Sequence, residues 1–454
     1  MRWFAAGRIA LAATLCFVAQ SALADAQSPP EGSADMREMK ALVEGLRDKL
    51  DAQSEQLEHQ GEMIRESRAR EEKREDTESG LAKFFRDIEF DGWIAGSYFW
   101  NFNDPGNSPG AGPPPNFVGG NTGAAGNVYP FHTDHNTFNV DQIWFGMGKQ
   151  ATEESRAGFR FDLVYGKSAC TLSASPGERC PTGAFAFGSN DATSQYYVNQ
   201  AYIEYLMPFG NIKLKAGKFG TLLGAEVVQT TGNFNITRHN SYSLIQPIDH
   251  VGVLLEKDLG AGFSATIGGL NGYVPDDPDV NKNKSLIAQI AWAGEELSVS
   301  GSVLWGGEVL QNDDFDTGTA DLVVRWTPME DLQTWLNANY AWTDGVGSGT
   351  ASAEAWGVTL AARYALTERL GFSPRVEYVS EDDGFYGFAN GDATIWALTG
   401  TLDYLLTEGL TVRSELRWDT ISQDGGPDGN FFDGGPDDLD DDQIVAAVEL
   451  IYQF

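Results

Sequence analysis

The sequence predicts a transmembrane all-β protein, an antiparallel β-barrel of about sixteen strands with an N-terminal α-helical segment. From Phe84 onward, apolar residues recur at every second position, which is the period of a strand with one apolar face. Short and long connections between the predicted strands alternate without exception, as they do in outer-membrane barrels. The chain ends on Phe454, with apolar residues at every second position before it. These three observations favour a membrane barrel over a sandwich or a propeller.

Residues 1–24 have the pattern of a signal peptide, with Arg2 and Arg8 before an apolar run and small residues at the cleavage site. The apolar run is too short to span a bilayer. Cys16 raises the alternative of a lipid anchor, but Leu15 precedes it where a small residue is needed. Residues 25–35 form a linker that contains prolines.

Residues 36–80 are predicted to form a coiled coil in the periplasm. Apolar residues recur seven apart from Met36 to Ile64, and Glu and Arg occupy the outer positions. The second core position becomes polar in the later half, and Gly61 costs about 1 kcal/mol in a helix. The segment therefore either sets the oligomeric state or acts as a charged helical spacer.

Residues 84–454 are predicted to form the transmembrane barrel. Its strands are expected near 90–102, 137–149, 156–167, 195–207, 211–219, 248–258, 261–271, 284–294, 296–306, 318–327, 332–343, 352–365, 367–380, 391–404, 408–420 and 441–454. The long connections are 103–136, 168–194, 220–247, 272–283, 307–317, 344–351, 381–390 and 421–440. Long external loops and tight periplasmic turns would produce this alternation.

The polar faces of these strands should line an aqueous channel, because a barrel of sixteen strands leaves one. The candidate lining residues are Arg160, Asp162, Glu204, Lys213, Lys215, Arg325, Arg363, Arg375, Glu377, Arg413, Glu415 and Arg417. The same faces carry Glu256, Asp321, Asp403, Asp419 and Glu449. Basic and acidic groups nearly balance, so they either set ion selectivity or pair with one another.

The chain has 31 Lys and Arg against 65 Asp and Glu, so nucleic acid is not expected as a partner. Most of the excess carboxylates fall in the external loops. They either bind Ca²⁺ loosely, bridging to lipopolysaccharide, or remain solvated and repel one another. No cofactor and no specific metal site are expected. Cys170 and Cys180 lie in one loop and are predicted to form a disulfide, the alternative being two free thiols.

Several stretches resemble the OmpL-like family of β-barrel porins of bacterial outer membranes. They are GWIAGSYFWNFNDPGN (92–107), FHTDHNTFNVDQIWF (131–145), FRFDLVYGK (159–167), NQAYIEYLMPFGNIKLKAGKFGTLLGAEV (199–227), NFNITRHNSYSLIQPIDHVGVLL (233–255) and LNGYVPDD (270–277). The heptad segment is similar to the periplasmic coiled coils of some trimeric porins. The resemblance implies a channel and a homotrimer in the outer membrane, but it implies no particular solute.

Nearly every other long connection downstream is rich in Asp and Gly, whereas 220–247 has the single carboxylate Glu226 and carries Arg238 and His239. A loop poor in carboxylates is less costly to place against a channel wall, and in general porins the third external loop narrows the pore. The candidate constriction residues are Glu226, Asn233, Asn235, Arg238, His239 and Tyr242. The alternative is that this loop packs outside the barrel on a neighbouring subunit.

The sequence therefore predicts a porin that lets small hydrophilic solutes and ions diffuse passively. The alternative is a structural or adhesive surface protein, anchored by the barrel and linked to the cell wall by the helix. No enzymatic activity is expected, because the sequence has no HExxH, GxSxG or phosphate-loop motif. His250 near Ser241 or Ser243 is the one weak candidate for a hydrolase pair.

Overall fold

The structure is a computed structural model that describes residues 41–42, 44–45, 47–49, 59, 61–71, 87–103, 129, 131–132, 136–173, 196–273, 283–309, 312–344, 352–382, 392–423, 432–433 and 439–454. The chain divides into two compact units, up to Arg86 and from Asp87 onward. In the first unit, residues 61–71 are helical and almost entirely exposed. The predicted coiled coil lies largely outside the described residues, so its role stays a prediction.

The second unit is a closed antiparallel barrel, and all sixteen predicted strands are present. The strands are β1 (Glu89–Asn101), β2 (Thr137–Lys149), β3 (Ala157–Tyr165), β4 (Tyr196–Leu206), β5 (Ile212–Gly220), β6 (Asp249–Gly260), β7 (Phe263–Leu270), β8 (Ser285–Ala293), β9 (Leu297–Val309), β10 (Asn312–Met329), β11 (Leu332–Thr343), β12 (Ala353–Ala365), β13 (Leu370–Asp382), β14 (Ala393–Thr407), β15 (Leu410–Gln423) and β16 (Asp442–Gln453).

Two short helices interrupt the connections, α1 (Lys167–Ser173) and α2 (Asn240–Leu244), and Thr230–Gly232 form one 3₁₀ turn. A two-residue ladder joins Phe432–Asp433 to Leu439–Asp440. None of the helices in the described ranges is long and apolar enough to cross a membrane.

The barrel closes where the last strand pairs with the first. Each strand otherwise pairs with its neighbours in sequence, and β1 pairs with β16 from Trp93↔Gln453 to Asn101↔Val445. The terminal Phe454 extends this seam, because its N–H donates to the carbonyl of Gly92 at 3.0 Å. Every strand of the closed sheet therefore has two partners, as a barrel in lipid requires.

The strands alternate between an exposed apolar face and a buried face. Along β12, Trp356, Val358 and Leu360 are exposed while the residues between them are buried. On β13, Val376 is exposed and its neighbours Arg375 and Glu377 are buried. The apolar residues thus face the lipid and the polar ones face the barrel axis.

One predicted loop is much shorter than expected. The sequence predicted a connection over 307–317, but β9 continues to Val309 and β10 begins at Asn312. The register shifts between Asn312 and Asp316, which marks an irregularity in the ladder. Backbone hydrogen bonds form the ladder without help from side chains, so the loss of apolar alternation did not mark the end of these strands.

Gly318 allows close aromatic packing between neighbouring strands. It lies opposite Trp342 in register, and a methyl group added at Gly318 would overlap the indole ring of Trp342. We expect Gly318→Ala to destabilise the barrel by about 1–3 kcal/mol, the usual cost of overpacking. Thermal unfolding of the detergent-solubilised protein would measure it. The control is Gly301→Ala on β9, where nothing lies within 4 Å of the added methyl; equal melting temperatures for both variants would contradict the prediction.

Candidate functional site

The β5–β6 segment, residues 221–248, is the longest fully described connection of the barrel. It has little regular secondary structure, yet most of its residues are buried, including Ile236, Thr237, His239 and Asn240 at 0% exposure. A buried backbone without helix or strand must find other hydrogen-bond partners. Side chains from strands far along the chain supply them.

Strands β8–β11 bind the beginning of the segment. The carbonyl of Leu222 accepts hydrogen bonds from Gln289 on β8 and Ser302 on β9, at 2.7 and 3.1 Å. Further bonds join the backbone of Gly224 and Ala225 to Asp321 and Arg325 of β10 and Asn337 of β11. This end of the segment is therefore fixed to one side of the barrel.

Three buried arginines on β13 and β15 bind backbone carbonyls later in the segment. Arg375 donates to Thr237 O at 2.6 Å, and Arg417 donates to Arg238 O at 2.6 Å. Arg413 donates to Asn233 O at 3.0 Å. A guanidinium carries five donors in a fixed plane, so each one can hold a carbonyl and a carboxylate at once.

Each of these arginines is also paired with a buried carboxylate on the wall. Arg375 Nε lies 2.7 Å from Glu377 Oε1, and Arg417 Nη2 lies 2.7 Å from Asp419 Oδ1. Arg413 pairs with Glu449 in the same way. Since an isolated buried charge is very costly, each carboxylate offsets the cost of burying its guanidinium.

Wall carboxylates accept hydrogen bonds from the amides of the segment. Glu415 accepts from the N–H groups of Ile236 and Thr237, at 2.6 and 3.0 Å. Glu377 accepts from Asn240 N at 2.6 Å. The wall thus binds the carbonyl groups of the segment through arginines and its N–H groups through carboxylates. These hydrogen bonds involve a charged partner, which makes them stronger than bonds between neutral groups.

Two charged residues that the sequence assigned to the constriction hold the segment together. Glu226 accepts from His239 N at 2.7 Å and pairs with Arg375 at 2.8 Å. Arg238 donates to the carbonyls of Val227, Val228 and Ile236, each at 2.8 Å, and its side chain is buried.

The neutral residues of the predicted constriction contact other parts of the protein. Asn233 bonds to the backbone at Val227 and Gln229, and Asn235 donates to Thr401 Oγ1 at 2.8 Å. Tyr242 is buried beside Phe131, at 6.2 Å between ring centroids. The structure thus brings all six predicted residues into one buried unit.

Ten of the twelve predicted lining residues fall into two groups, and the other two, Asp162 and Glu204, are buried on the wall. Arg375, Glu377, Arg413, Glu415 and Arg417 are buried and bind the segment, so they do not face solvent. Arg160, Lys213, Lys215, Arg325 and Arg363 remain partly exposed. Arg160 pairs with Asp91 and Asp162, Arg363 pairs with Asp403, and Lys215 lies over the ring of Tyr202 at 4.5 Å. Glu204 accepts from Ala151 N at 2.7 Å.

Other long connections reach the same site, which sequence reasoning missed. Tyr129 and Phe131 are buried, with their rings over Arg417 and Arg238 at 4.7 and 5.4 Å. Ser168 of α1 accepts from Gln142, and Tyr273 donates to Ile245 O at 2.6 Å. The aromatic, charge-free run at 129–131 was the available signal, since external loops are otherwise rich in carboxylates.

The remaining predicted sites fall partly outside the described residues. Cys170 is disulfide-bonded, whereas Cys180 lies outside the described residues, so their pairing stays a prediction. Most of the Asp-rich loops are outside them as well. Within the described ranges, no three His, Cys, Asp or Glu side chains are grouped to hold a metal ion.

Comparisons with known proteins found similarity over the whole second unit. Residues 87–454 match the family model described as "Putative beta-barrel porin-2, OmpL-like". Among solved structures, the outer membrane channel DcaP of Acinetobacter baumannii is similar with a TM-score of 0.53 and 12% identity, over 81% of this chain and 97% of that chain. An anion-selective porin from Comamonas acidovorans is similar with a TM-score of 0.51 and 9% identity, over 81% of this chain and 99% of that chain.

The trimer form of OmpT of Vibrio cholerae gives a TM-score of 0.51 and 11% identity, over 81% of this chain and 99% of that chain. At such identities the likeness concerns the fold alone. A search of curated protein sequences found no match.

His239 makes the segment sensitive to pH. It caps α2 by accepting the Tyr242 N–H on Nδ1 at 3.0 Å, and burial lowers its pKa to about 4. In the unfolded chain this imidazole has a pKa near 6.5, so it takes up a proton more readily there than in the folded protein. The free energy of unfolding should therefore fall as pH drops from 6.5 to 4, by up to about 3 kcal/mol. His132 is buried with a pKa of about 4 and adds to the loss.

We expect His239→Asn to reduce the slope of stability against pH, because asparagine can cap a helix but does not titrate, and His132 should account for part of the slope that remains. Melting temperatures between pH 7.5 and 4.5 would measure the effect. His59→Asn in the N-terminal helix is the control and should retain the wild-type slope. An unchanged slope in His239→Asn would contradict the assignment.

Proposed function

Because the chain belongs to the OmpL-like family of β-barrel porins of the outer membrane, we propose that it is a diffusion channel narrowed by the β5–β6 segment. Passive diffusion of small hydrophilic solutes and ions needs only a water-filled route and no chemistry at a catalytic residue. The observation that carries the proposal is the set of bonds from this segment to inner-face side chains on β8–β11 and on β13–β16.

The open part of the channel, in this proposal, runs along the inner face of β3–β7. Inner-face residues there remain partly exposed, namely Arg160, Tyr202, Lys213, Lys215, Glu256 and Thr266. Elsewhere on the wall, by contrast, charged inner-face residues are buried and bonded to the segment, namely Arg375, Glu377, Arg413, Glu415, Arg417 and Glu449. Solutes would therefore pass off the barrel axis, between the segment and β3–β7.

The charges along this route are close to balanced. Lys213 lies opposite Glu256 in register, and Lys215 lies opposite Glu204. Rings of a single sign select ions, whereas mixed charges select weakly. We expect a reversal potential near zero in a KCl gradient across a planar bilayer. A strongly cation-selective current would instead indicate that the carboxylates of the external loops control entry.

Releasing the segment should widen the channel. We expect the double variant Arg375→Ser with Glu226→Ser to increase single-channel conductance and current noise. It removes the buried pairs of Arg375 with Glu226 and with Glu377 while keeping net charge unchanged. The matched control is Arg363→Ser with Asp403→Ser, a wall pair for which no bond to the segment is described.

The wild-type recording and the variant recording test separate claims. If the wild-type protein gives no conductance, the diffusion function is wrong and a structural or adhesive role is favoured. If the wild-type protein conducts and both double variants have the same single-channel conductance, the diffusion function is supported and narrowing of the channel by the segment is wrong.

We further propose that the protein is a homotrimer with residues 36–80 as a coiled coil in the periplasm. The heptad repeat from Met36 to Ile64 supports this, because such a repeat buries its apolar seam only against another helix. Removing residues 25–80 should reduce the mass measured in detergent from three chains toward one. An unchanged mass would mean that the barrel wall alone holds the subunits together.

A further inference from the structure

We propose that Gln142 of β2 is a positioning residue that fixes the middle of the β5–β6 segment against β1 and β2, and so sets the width of the diffusion route on that side. Its effect on the route rests on the proposed diffusion function, whereas its hold on the segment does not. Three observations carry the inference, namely a bulge in β2, the four hydrogen bonds of one buried amide and the apolar packing around it.

A β-bulge places Gln142 inside the barrel. The register between β1 and β2 passes from Ala95↔Gln142 to Gly96↔Val140, which leaves Asp141 as the extra residue. Asp141 and Gln142 are both buried, although adjacent residues of a regular strand face opposite sides of the sheet. A bulge re-aims a side chain in this way and is often found near functional sites.

The side-chain amide of Gln142 is fully used. Its Nε2 donates to Val228 O at 2.7 Å and to Ser168 Oγ of α1 at 3.2 Å. Its Oε1 accepts from Thr230 N at 3.1 Å and from Trp93 Nε1 at 3.0 Å. A side-chain amide has two N–H donors and two oxygen lone pairs, so all four are occupied. Two of the bonds hold the backbone of the segment, and the other two fix the orientation of the amide.

Apolar packing surrounds this amide. Trp93 stacks on Trp144 with 4.8 Å between ring centroids, and both pack in one buried cluster with Val228 of the segment and Ala169 of α1. Hydrogen bonds are stronger in such surroundings of low polarity, and a member left unpaired there is costly. Gln142 therefore joins β1, β2, α1 and the segment at one point.

This contact fixes a part of the segment that the bonds described for β8–β11 do not reach. Those bonds hold the segment near Leu222 and Ala225, and β15 binds it at Asn233 and beyond. Between these two attachments, β2 holds the backbone at Val228 and Thr230. Strand β2 adjoins β3, where the proposed route begins. A segment freed at this edge would fluctuate, and larger solutes could then pass.

The first test is amide hydrogen exchange of the full-length protein in detergent, followed by mass spectrometry of a peptide spanning 227–232. In the wild-type protein, the amide of Thr230 should exchange slowly although it lies outside any strand, because Gln142 accepts its hydrogen bond. Gln142→Leu removes all four bonds of the amide and should speed this exchange by about tenfold.

The matched control is Gln443→Leu on β16. Gln443 is as buried as Gln142, at 1% exposure, but the bonds described for it go to Tyr129 and Asn101 rather than to the segment. This variant should melt at a lower temperature, as Gln142→Leu should, yet keep the wild-type exchange at Thr230. Fast exchange of that amide in the wild-type protein, or wild-type exchange in Gln142→Leu, would overturn the positioning role.

The second test records the same proteins in planar bilayers with polyethylene glycols of graded size. Gln142→Leu should admit larger polymers and give a noisier current than the wild-type protein and Gln443→Leu. An unchanged size limit together with faster exchange would overturn the effect on the route. A wild-type protein that does not conduct would remove the diffusion function itself, while the exchange result would still decide whether Gln142 holds the segment.

Discussion

The bonds between charged wall residues and the backbone of the β5–β6 segment are the interaction on which the rest of the structure depends. Helix and strand satisfy little of the backbone of the segment, and each buried N–H or carbonyl left alone would cost about 1–3 kcal/mol. Arg375, Arg413 and Arg417 bind its carbonyls while Glu377 and Glu415 bind its amides. The segment in turn buries these wall charges, so hydrogen bonds to its backbone replace those that water would make. Segment and wall are therefore one structure rather than a barrel with an added loop.

Much of the barrel could be predicted from sequence because its signal is local. Alternation along β12, or the polar break between two strands, needs only neighbouring residues, so strand positions followed directly. Strand ends were less accurate, as β9 and β10 show, because backbone pairing continues after apolar alternation stops. The segment could also be singled out from the sequence, because it has one carboxylate while most other long connections downstream are acidic.

The partners within the site could not be predicted, because they are distant in the chain. Arg375 and Thr237 are 138 residues apart, and Thr230 and Glu449 are 219 apart. No pattern within either stretch indicates the other. Arg238 illustrates the consequence: a charged residue in a polar loop suggests contact with solute, whereas here it binds three carbonyls of its own segment. Tyr129 and Phe131 were missed for the same reason, since their partners Arg417 and Arg238 lie far along the chain.

The order of the strands has a consequence for how this protein can be assembled. The segment is synthesised before β13, β15 and β16, which supply most of its charged partners, and the seam that closes the barrel uses the final residue. Contacts between residues so far apart in the chain form slowly. The buried unit can therefore be completed only when β13, β15 and β16 are in place. A chain stopped before its final strands would hold an unbound segment beside an open sheet edge, the state most exposed to aggregation.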